Sequence, residues 1–408
     1  MFSIYQKNKS IADARVYPAR SNSNKTKFKR SLNLNYPHSM RKILKKLHLY
    51  LAITLCIPLV LQGITGLIMV FQHEISNYQL HTKHVFASGE IQAPSKIIIS
   101  ALTQVPEGSK VNSIKLPIAE KSPAVVRLTK KIEEKKSIFE VVADPVSLEI
   151  IEVKNPENDF FKNLKKFHSS LFIPGQTGKN IVGTFGLVML FMVISGLVIW
   201  WPKKITFKRA MTFKFSSTGK QFHRDLHSAV GFWTSLIIFI TSFAGVYLAF
   251  TPQTTATILA IFPGKDLKKS ANEMVIDPGS SFLTIDELAD FAAQKVSSDD
   301  KLLSINFPMK PEQPFRINFV PKNYEDGEPI ITVFIDQYWQ RILEVRDPKN
   351  YSLGEKIIAW QHSIHAGEGL GYLWKITVFL TGFLPLLFSI TGISLWLIKR
   401  KSKKLKAA

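Results

Sequence analysis

The chain combines strong positive charge with high hydrophobicity: its 408 residues carry a formal net charge of +22, and 46% of them are hydrophobic. The single cysteine, Cys56, excludes an intramolecular disulfide, a thiolate-ligated iron–sulfur cluster and a covalent C-x-x-C-H haem attachment. The basic excess does not indicate a nucleic-acid partner, because it lies beside apolar segments, where lysines also contact anionic lipid headgroups.

The chain opens with a polar, basic segment and continues with four apolar runs. Residues 1–36 are rich in Ser, Asn, Lys and Arg without an apolar period, which predicts a disordered cytoplasmic lead over 1–40. Each apolar run lacks acidic residues and reaches the roughly 20 residues that a spanning helix needs. The first run begins too late, and is too long, for a signal peptide. We therefore predict an α-helical membrane protein whose transmembrane helices occupy 41–73, 168–202, 223–251 and 362–398.

Two long polar loops, 74–167 and 252–361, separate these helices in pairs. In each loop an amphipathic stretch, 94–105 or 283–296, has helical spacing and is followed by segments that alternate as strands do. Each loop is thus predicted to form a small α+β module in which one helix packs on antiparallel strands.

The distribution of charge predicts the orientation of the chain. Residues 74–167 contain 14 basic and 12 acidic residues, and 252–374 contain 12 basic and 17 acidic residues. The positive excess therefore lies in the N-terminal lead, the short loop 203–222 and the tail 399–408. By the positive-inside rule these segments are cytoplasmic, and the two modules lie on the outer side of the lipid bilayer.

The two halves of the chain repeat each other. LHLYLAITLCIPLVLQGITGLIMVF (47–71) aligns without a gap on LHSAVGFWTSLIIFITSFAGVYLAF (226–250), and 167–201 runs parallel to 364–397. The loop ends match as well, VVADPVSLEIIEVKNP with VFIDQYWQRILEVRDP. The sequence therefore predicts a tandem duplication, in which each copy consists of a helix, a module and a second helix.

The repeat aligns histidines in two pairs. His48 matches His227 at the predicted cytoplasmic face, and His168 matches His365 at the outer face. Direct repeats are related by an axis along the membrane normal, so equivalent residues face each other across it. Two facing imidazoles can bind one iron from opposite sides, as the axial ligands of a haem do. Small residues on the first and third helices would leave room for a flat macrocycle: Gly63, Gly66, Ser242 and Gly245.

Three further histidines are alternative ligands or neighbours of the ligands: His223, His362 and His73. The repeat argues against them, because their counterparts are Leu44, Lys165 and Pro252. A histidine at a membrane interface can also simply bind headgroups or a carbonyl.

Charged residues near the cytoplasmic pair are candidates for pairing with haem propionates: Arg41, Lys45 and Arg224. Positive-inside anchoring is the stronger explanation of these residues. The remaining histidines, His38, His81 and His84, are predicted to lie in loops, and Pro58 and Pro385 are predicted to kink the first and last helices.

Short motifs in this order resemble the PepSY-associated transmembrane proteins. They are the L-H that opens the first helix with its later T-G, the Asp-Pro-like strand end in each loop, the D-L-H of the third helix and the final T-G-x-x-L-W. The resemblance spans about residues 41–400. The family includes iron-regulated inner-membrane proteins and siderophore-linked ferric reductases. The resemblance implies a haem-bearing reductase of the bacterial inner membrane, with PepSY modules in the periplasm.

Together these observations predict a protein with two b-type haems that carries electrons from the cytoplasmic side to a periplasmic ferric siderophore or other ferric chelate. No nicotinamide or flavin fingerprint follows a strand, so the electron donor would be a quinol, another protein or a diffusible cytoplasmic reductant. Two other hypotheses stay open. The chain could be a PepSY interaction protein that restrains a peptidase without redox activity, or a transporter of metal or protons.

Overall fold

The computed structural model describes residues 38–132, 135–155, 157, 159–201, 211–212, 214, 216, 218–280 and 283–407. The predicted lead up to residue 37 and most of the predicted loop 203–222 lie outside the described residues. Residues up to Ile43 form one unit, in which His38–Ile43 are the first turns of a helix; the chain from Leu44 onward forms a second unit. His38 is therefore helical and not, as predicted, in a loop.

Helices of the first half are α1 (His38–Val70), α2 (Gln72–Lys83), α3 (Pro94–Leu102), α4 (Phe160–Ser170) and α5 (Gly175–Trp200). Those of the second half are α6 (Gly219–Ala249), α7 (Thr251–Ile261), α8 (Leu267–Asn272), α9 (Ile285–Ala293), α10 (Leu353–Ala366), α11 (Gly371–Thr381) and α12 (Leu384–Ala407). The strands are β1 (Lys110–Lys115), β2 (Ala124–Ile132), β3 (Lys135–Ala143), β4 (Ile150–Lys154), β5 (Lys301–Asn306), β6 (Phe315–Val320), β7 (Ile331–Asp336) and β8 (Arg341–Arg346).

Four helical segments among the described residues are long and apolar enough to cross a membrane. They are Ser39–Val70, Gly175–Trp200, Gly219–Ala249 and Gly371–Leu405. Each exceeds the roughly 20 residues that the hydrocarbon core requires. The chain is thus a membrane protein of the α-helical class, as the apolar runs predict.

The second and fourth spans begin later than predicted, because a separate helix precedes each. Helix α4 ends at Leu171, which has a left-handed φ of 53°, and α5 begins at Gly175. Helix α10 ends at Gly367, which has a φ of 79°, and α11 begins at Gly371. A left-handed residue just past a helix redirects the chain. Consequently His168 and His365 lie on short helices ahead of the spans.

Proline affects the first and last spans differently. Pro58 lies within α1, which is continuous from His38 to Val70. Pro385 lies in the first turn of α12, directly after a break at 382–383 that separates α12 from α11. Proline has no N–H to donate and fits the first turn of a helix. The kink predicted at Pro385 is therefore a boundary between two helices.

The strands of both loops join in one antiparallel sheet of eight strands, in the order β4-β3-β2-β1-β5-β6-β7-β8. At its centre β1 pairs with β5, with Ile114 opposite Ile305. Each of the two predicted modules contributes four antiparallel strands, and the structure joins the two sets in this one sheet. Pairing removes two edge strands whose N–H and C=O groups would otherwise lack partners.

The two faces of the sheet have different partners. Its apolar face forms a core with α3 and α9, which includes the fully buried side chains of Ile114, Leu128 and Ile317. Its polar face contacts α4, where Lys162 pairs with Glu140 of β3. Because α4 leads directly into α5, the polar face is turned toward the helices that enter the membrane.

Equivalent turns follow β3 and β7. The carboxylate of Asp144 accepts hydrogen bonds from the backbone N–H of Val146 (2.9 Å) and Ser147 (3.2 Å). The carboxylate of Asp336 does the same for Tyr338 (3.1 Å) and Trp339 (3.3 Å). Both aspartates are buried. The Asp-Pro-like motif at each strand end is therefore a turn in which the side chain replaces a backbone acceptor.

Candidate functional site: two histidine pairs

The structure brings His168 and His365 together at the end of the spans that lies nearer the sheet. We call them the sheet-side pair. Their ring centres are 6.1 Å apart, and the ring planes make an angle of 48°. Burial, together with the neighbouring His365, lowers the pKa of His168 to about 3; burial also lowers the pKa of His365. Both imidazoles are therefore neutral.

His48 and His227 form a second pair, which we call the distal pair. His48 lies on α1 and His227 on α6, and the two rings are close enough to interact electrostatically. His48 lies eighteen residues before Gly66, the residue of α1 that contacts His168. At 1.5 Å per residue, the two pairs are about 27 Å apart along α1.

Each of the four imidazoles has its Nδ1 atom within hydrogen-bonding distance of an acceptor on a neighbouring helix. Nδ1 of His48 lies 2.7 Å from Oγ of Ser195, and Nδ1 of His227 lies 2.8 Å from Oγ1 of Thr391. Nδ1 of His168 lies 2.8 Å from Oγ1 of Thr65. Nδ1 of the fourth, His365, lies 2.9 Å from the carbonyl oxygen of Thr241.

These contacts indicate which nitrogen carries the proton. The Thr65, Ser195 and Thr391 hydroxyls each donate their one proton to a carbonyl of their own helix, at 2.7, 3.2 and 2.8 Å. Each hydroxyl can therefore accept a hydrogen bond from the facing Nδ1–H, and the Thr241 carbonyl can only accept. The four contacts thus favour the tautomer with hydrogen on Nδ1, which leaves the Nε2 lone pair available. No Nε2 of the four makes a hydrogen bond within the described part of the chain. This is the tautomer and orientation of a metal-ligating histidine.

Glycines make room for the four rings. A β-carbon on Gly66 would lie 3.3 Å from Cε1 of His168, and one on Gly245 would lie 2.9 Å from Cε1 of His365. The distal pair has looser contacts of the same kind, 3.5 Å at Gly196 and 3.8 Å at Gly392. These four glycines thus each lie against a histidine of the same half of the chain.

The sheet-side pair has the spacing that one shared metal requires. Metal–imidazole bonds of about 2.0–2.1 Å on opposite sides of an ion place the two ring centres about 6 Å apart. The ring centres of His168 and His365 are 6.1 Å apart. Within the described ranges no cluster of three or more His, Cys, Asp or Glu side chains could hold a metal. The two imidazoles could therefore supply two of the ligands of one shared metal ion.

Buried polar atoms without a protein partner accompany both pairs. Within the described residues, Nε2 of Gln62 and Oε1 of Gln361 make no hydrogen bond, and neither does Nδ1 of His223. The backbone carbonyl of Gln62 lies within reach of His168, Gln361 is one turn from His365, and His223 is one turn from His227. A buried polar group without a partner is costly, so each of these atoms could form a hydrogen bond with a polar group of a bound molecule.

The alternative histidines lie beside the pairs. His223 and His362 each occupy the turn that precedes a paired histidine, on α6 and α10. His73 lies on α2, where Nε2 is 3.5 Å from a carboxylate oxygen of Glu368. His81 is also helical, on α2, and not in a loop as predicted; His84 follows α2 and contacts buried Asp144 at 3.2 Å.

The predicted propionate partners differ in their surroundings. Arg41 belongs to the N-terminal unit, and Lys45 is exposed on α1. Arg224 is largely exposed and pairs with the adjacent Asp225 at 3.0 Å. Of the small residues expected to leave room for a macrocycle, Gly66 and Gly245 lie against histidines. Gly63 instead contacts Gly382, and Ser242 faces Gly186 of α5.

Sequence reasoning did not identify the residues that hold the imidazoles. The signal was present, because three of the four glycines follow a hydroxyl residue, in Thr65-Gly66, Ser195-Gly196 and Thr391-Gly392. The fourth dipeptide is Ala244-Gly245, and there the Thr241 carbonyl, one turn earlier, replaces the hydroxyl.

Fold and site define a class: a four-span membrane protein with an antiparallel sheet at one end and histidine pairs near both ends of the spans. The family model described as PepSY-associated TM region matches residues 45–399 of the chain. The protein belongs to the PepSY-associated TM family. No curated protein matches the sequence.

Proposed function

We propose that this protein binds two b-type haems and carries electrons across the bacterial inner membrane to a ferric chelate, such as a ferric siderophore, in iron acquisition. One observation carries the proposal. Four imidazoles stand in two pairs, each Nδ1 lies within hydrogen-bonding distance of a group that can accept, and no Nε2 makes a hydrogen bond among the described residues. The single cysteine excludes attachment through C-x-x-C-H, so the haems would be of the b type.

The proposal assigns the ends of the molecule to the two sides of the membrane. The basic lead, the 203–222 loop and the tail would be cytoplasmic, and the sheet would lie in the periplasm as two PepSY modules. Contacts between helices of the two halves support an internal tandem duplication. Gly63 meets Gly382, and the repeat counterparts Ser242 and Gly186 also face each other.

The chain's own residues would hold each haem rather than carry out chemistry themselves. His48 and His227 would ligate one, and His168 and His365 the other. When bound, the two groups supply one-electron oxidation and reduction. Thr65, Ser195, Thr391 and the Thr241 carbonyl would orient the imidazoles, because each can accept a hydrogen bond from Nδ1–H. The apolar helices around the pairs exclude water from them.

The substrate class follows from the chemistry of iron. Oxygen ligands such as catecholate, hydroxamate and carboxylate bind ferric iron more strongly than ferrous iron, because the charge of the ferrous ion is lower. Transfer of one electron to a ferric chelate therefore weakens the hold of the chelator. The electron donor would be a quinol or a cytoplasmic reductant.

A haem count on the purified protein tests the proposal. We expect an oxidised and a dithionite-reduced spectrum of bis-histidine haem, and two haems per chain in a pyridine haemochrome assay. His48→Ala and His227→Ala should remove the same haem, and His168→Ala and His365→Ala the other. His81→Ala, an exposed histidine of α2, is the control and should retain both. A colourless protein would exclude the reductase and favour an interaction protein.

A further inference from the structure

A buried carboxyl group lies three residues beyond His365, in the turn between α10 and α11. The side chain of Glu368 is 9% exposed. Its backbone N–H donates to the Ser363 carbonyl at 2.9 Å, and that of Gly369 donates to the Asp326 carbonyl at 3.0 Å. Gly327, with a φ of 99°, packs so closely that a β-carbon there would lie 2.3 Å from Cβ of Glu368. The loop between β6 and β7 therefore fixes the position of this carboxyl group.

Charged groups from three elements face Glu368. His73 of α2 lies 3.5 Å away, Lys375 of α11 forms an ion pair with Glu74 of α2, and Asp326 belongs to the β6–β7 loop. Burial, with Asp326 and Glu74, raises the pKa of Glu368, and His73 and Lys375 oppose this rise. Lys375 is already paired with Glu74, and His73 is the basic side chain beside Glu368.

His73 lies between Glu368 and water on one side, and between Glu368 and α10 on the other. Its side chain is half exposed, at 51%, so it reaches water on the sheet side. It also interacts electrostatically with His362, one turn before His365 on α10, which faces Lys165 of α4 as well. Glu368 and His73 therefore lie between the sheet-side pair and solvent.

This arrangement occurs beside His365 and not beside His168, because the repeat-matched positions carry neither the carboxyl group nor its neighbouring histidine. In the repeat, the position of Glu368 corresponds to Leu171, and that of His73 corresponds to Pro252. A contact that only stabilised the turn between two helices would serve equally well beside His168. Its presence at one histidine of the pair indicates a function that the protein needs once.

We propose that Glu368, together with His73, takes up one proton from water on the sheet side when one electron is added at the sheet-side pair. An added negative charge favours the protonated carboxyl group. When the electron leaves for the ferric chelate, the proton returns to water, so each turnover moves one electron outward and leaves no net proton on the protein. This inference rests on the proposed haem at His168 and His365.

Redox titration of the full-length protein over a pH series tests the inference. We expect the midpoint potential of the sheet-side haem to fall as pH rises, by up to tenfold in the reduction equilibrium, or about 59 mV, per pH unit. The potential of the distal haem should not change. Glu368→Gln, which keeps the shape but cannot ionise, should abolish the slope at unchanged haem content, and His73→Gln should reduce it. Glu325→Gln, an exposed carboxyl of the same loop, is the matched control and should keep it.

The outcomes separate this inference from the proposed function. Two haems with a pH-independent sheet-side potential would overturn the inference and leave the proposed function intact. A slope that survives in Glu368→Gln, or a slope that is undiminished in His73→Gln, would also overturn it. A protein without haem would overturn both. The haem count is measured before the titration, so it identifies this case as a failure of the proposed function.

Discussion

Gly245 and His365 are in close contact: a β-carbon at position 245 would lie 2.9 Å from Cε1 of the imidazole and 3.3 Å from Nδ1, so any larger residue there would have to displace the ring. The same helix provides an acceptor for Nδ1–H one turn earlier, at the Thr241 carbonyl. One face of α6 thus both positions the ring of His365 and accepts its hydrogen bond.

Gly245→Ala should displace His365 and weaken binding at the sheet-side pair. Overpacking of this kind costs about 1–3 kcal/mol. We expect the sheet-side haem to be lost and the distal one retained, measured by the haem count per chain. Gly231→Ala on the same helix is the control, because its β-carbon would meet its nearest neighbour, Phe388, at 3.8 Å. Full haem content in Gly245→Ala would contradict the packing argument.

Replacement of the Thr65 hydroxyl should loosen the orientation of His168, while the volume of the side chain at position 65 stays nearly the same. Thr65→Val removes the acceptor of the Nδ1 proton, which lies at 2.8 Å, and leaves a residue of similar volume. Loss of such an outer partner typically costs about 10–100-fold in metal affinity. The measurement is the rate of haem transfer to an apo-globin acceptor. Thr65→Ser keeps the hydroxyl and should release haem at nearly the rate of the unaltered protein; equal release from both variants would show that the hydroxyl has no such role.

The repeat predicted which histidines face each other but not what holds them. Alignment of the two halves relates His168 to His365, because equivalent residues meet across a common axis. It cannot show that Gly66 of α1 packs on His168 of α4, since that contact joins different helices of one half. The spacing of eighteen residues between His48 and Gly66 is a property of α1 alone. The partners of these two residues, Gly196 and His168, lie on other helices, so the spacing does not identify them.

The merged sheet and the buried Glu368 were beyond the sequence patterns for a similar reason. Alternation predicts that 110–115 and 301–306 are strands, but the pairing of β1 with β5 depends on how the two loops meet. Glu368 follows a histidine in a polar turn, where an acidic residue would ordinarily be solvated. Its burial results from the loop around Gly327, some forty residues earlier in the chain.

Substitution of Gly63 should destabilise the membrane-spanning bundle more than substitution of Gly186. A β-carbon on Gly63 would lie 2.4 Å from the carbonyl oxygen of Gly382, which is backbone and cannot move away easily. One on Gly186 would lie 2.8 Å from a methyl group of Val246, a side chain that can shift. We expect Gly63→Ala to lower stability by about 1–3 kcal/mol and Gly186→Ala by less. Thermal unfolding in detergent measures both, and the reverse order would contradict the prediction.

The turn after β3 should lose stability in acid. Burial opposes ionisation of Asp144, but hydrogen bonds from the backbone N–H of Ala87 and Val146, and from His84, lower its pKa below the ordinary value. A carboxyl group with a lowered pKa stabilises the folded state above its unfolded pKa of about 3.9, and this contribution is lost as pH falls through the folded value. We therefore expect the protection factors for amide exchange at Ala87 and Val146, taken relative to the intrinsic rate at each pH, to fall below about pH 4. Asp144→Asn should lower these protection factors at neutral pH and remove their acid dependence; an unchanged acid dependence in the variant would assign it to another group.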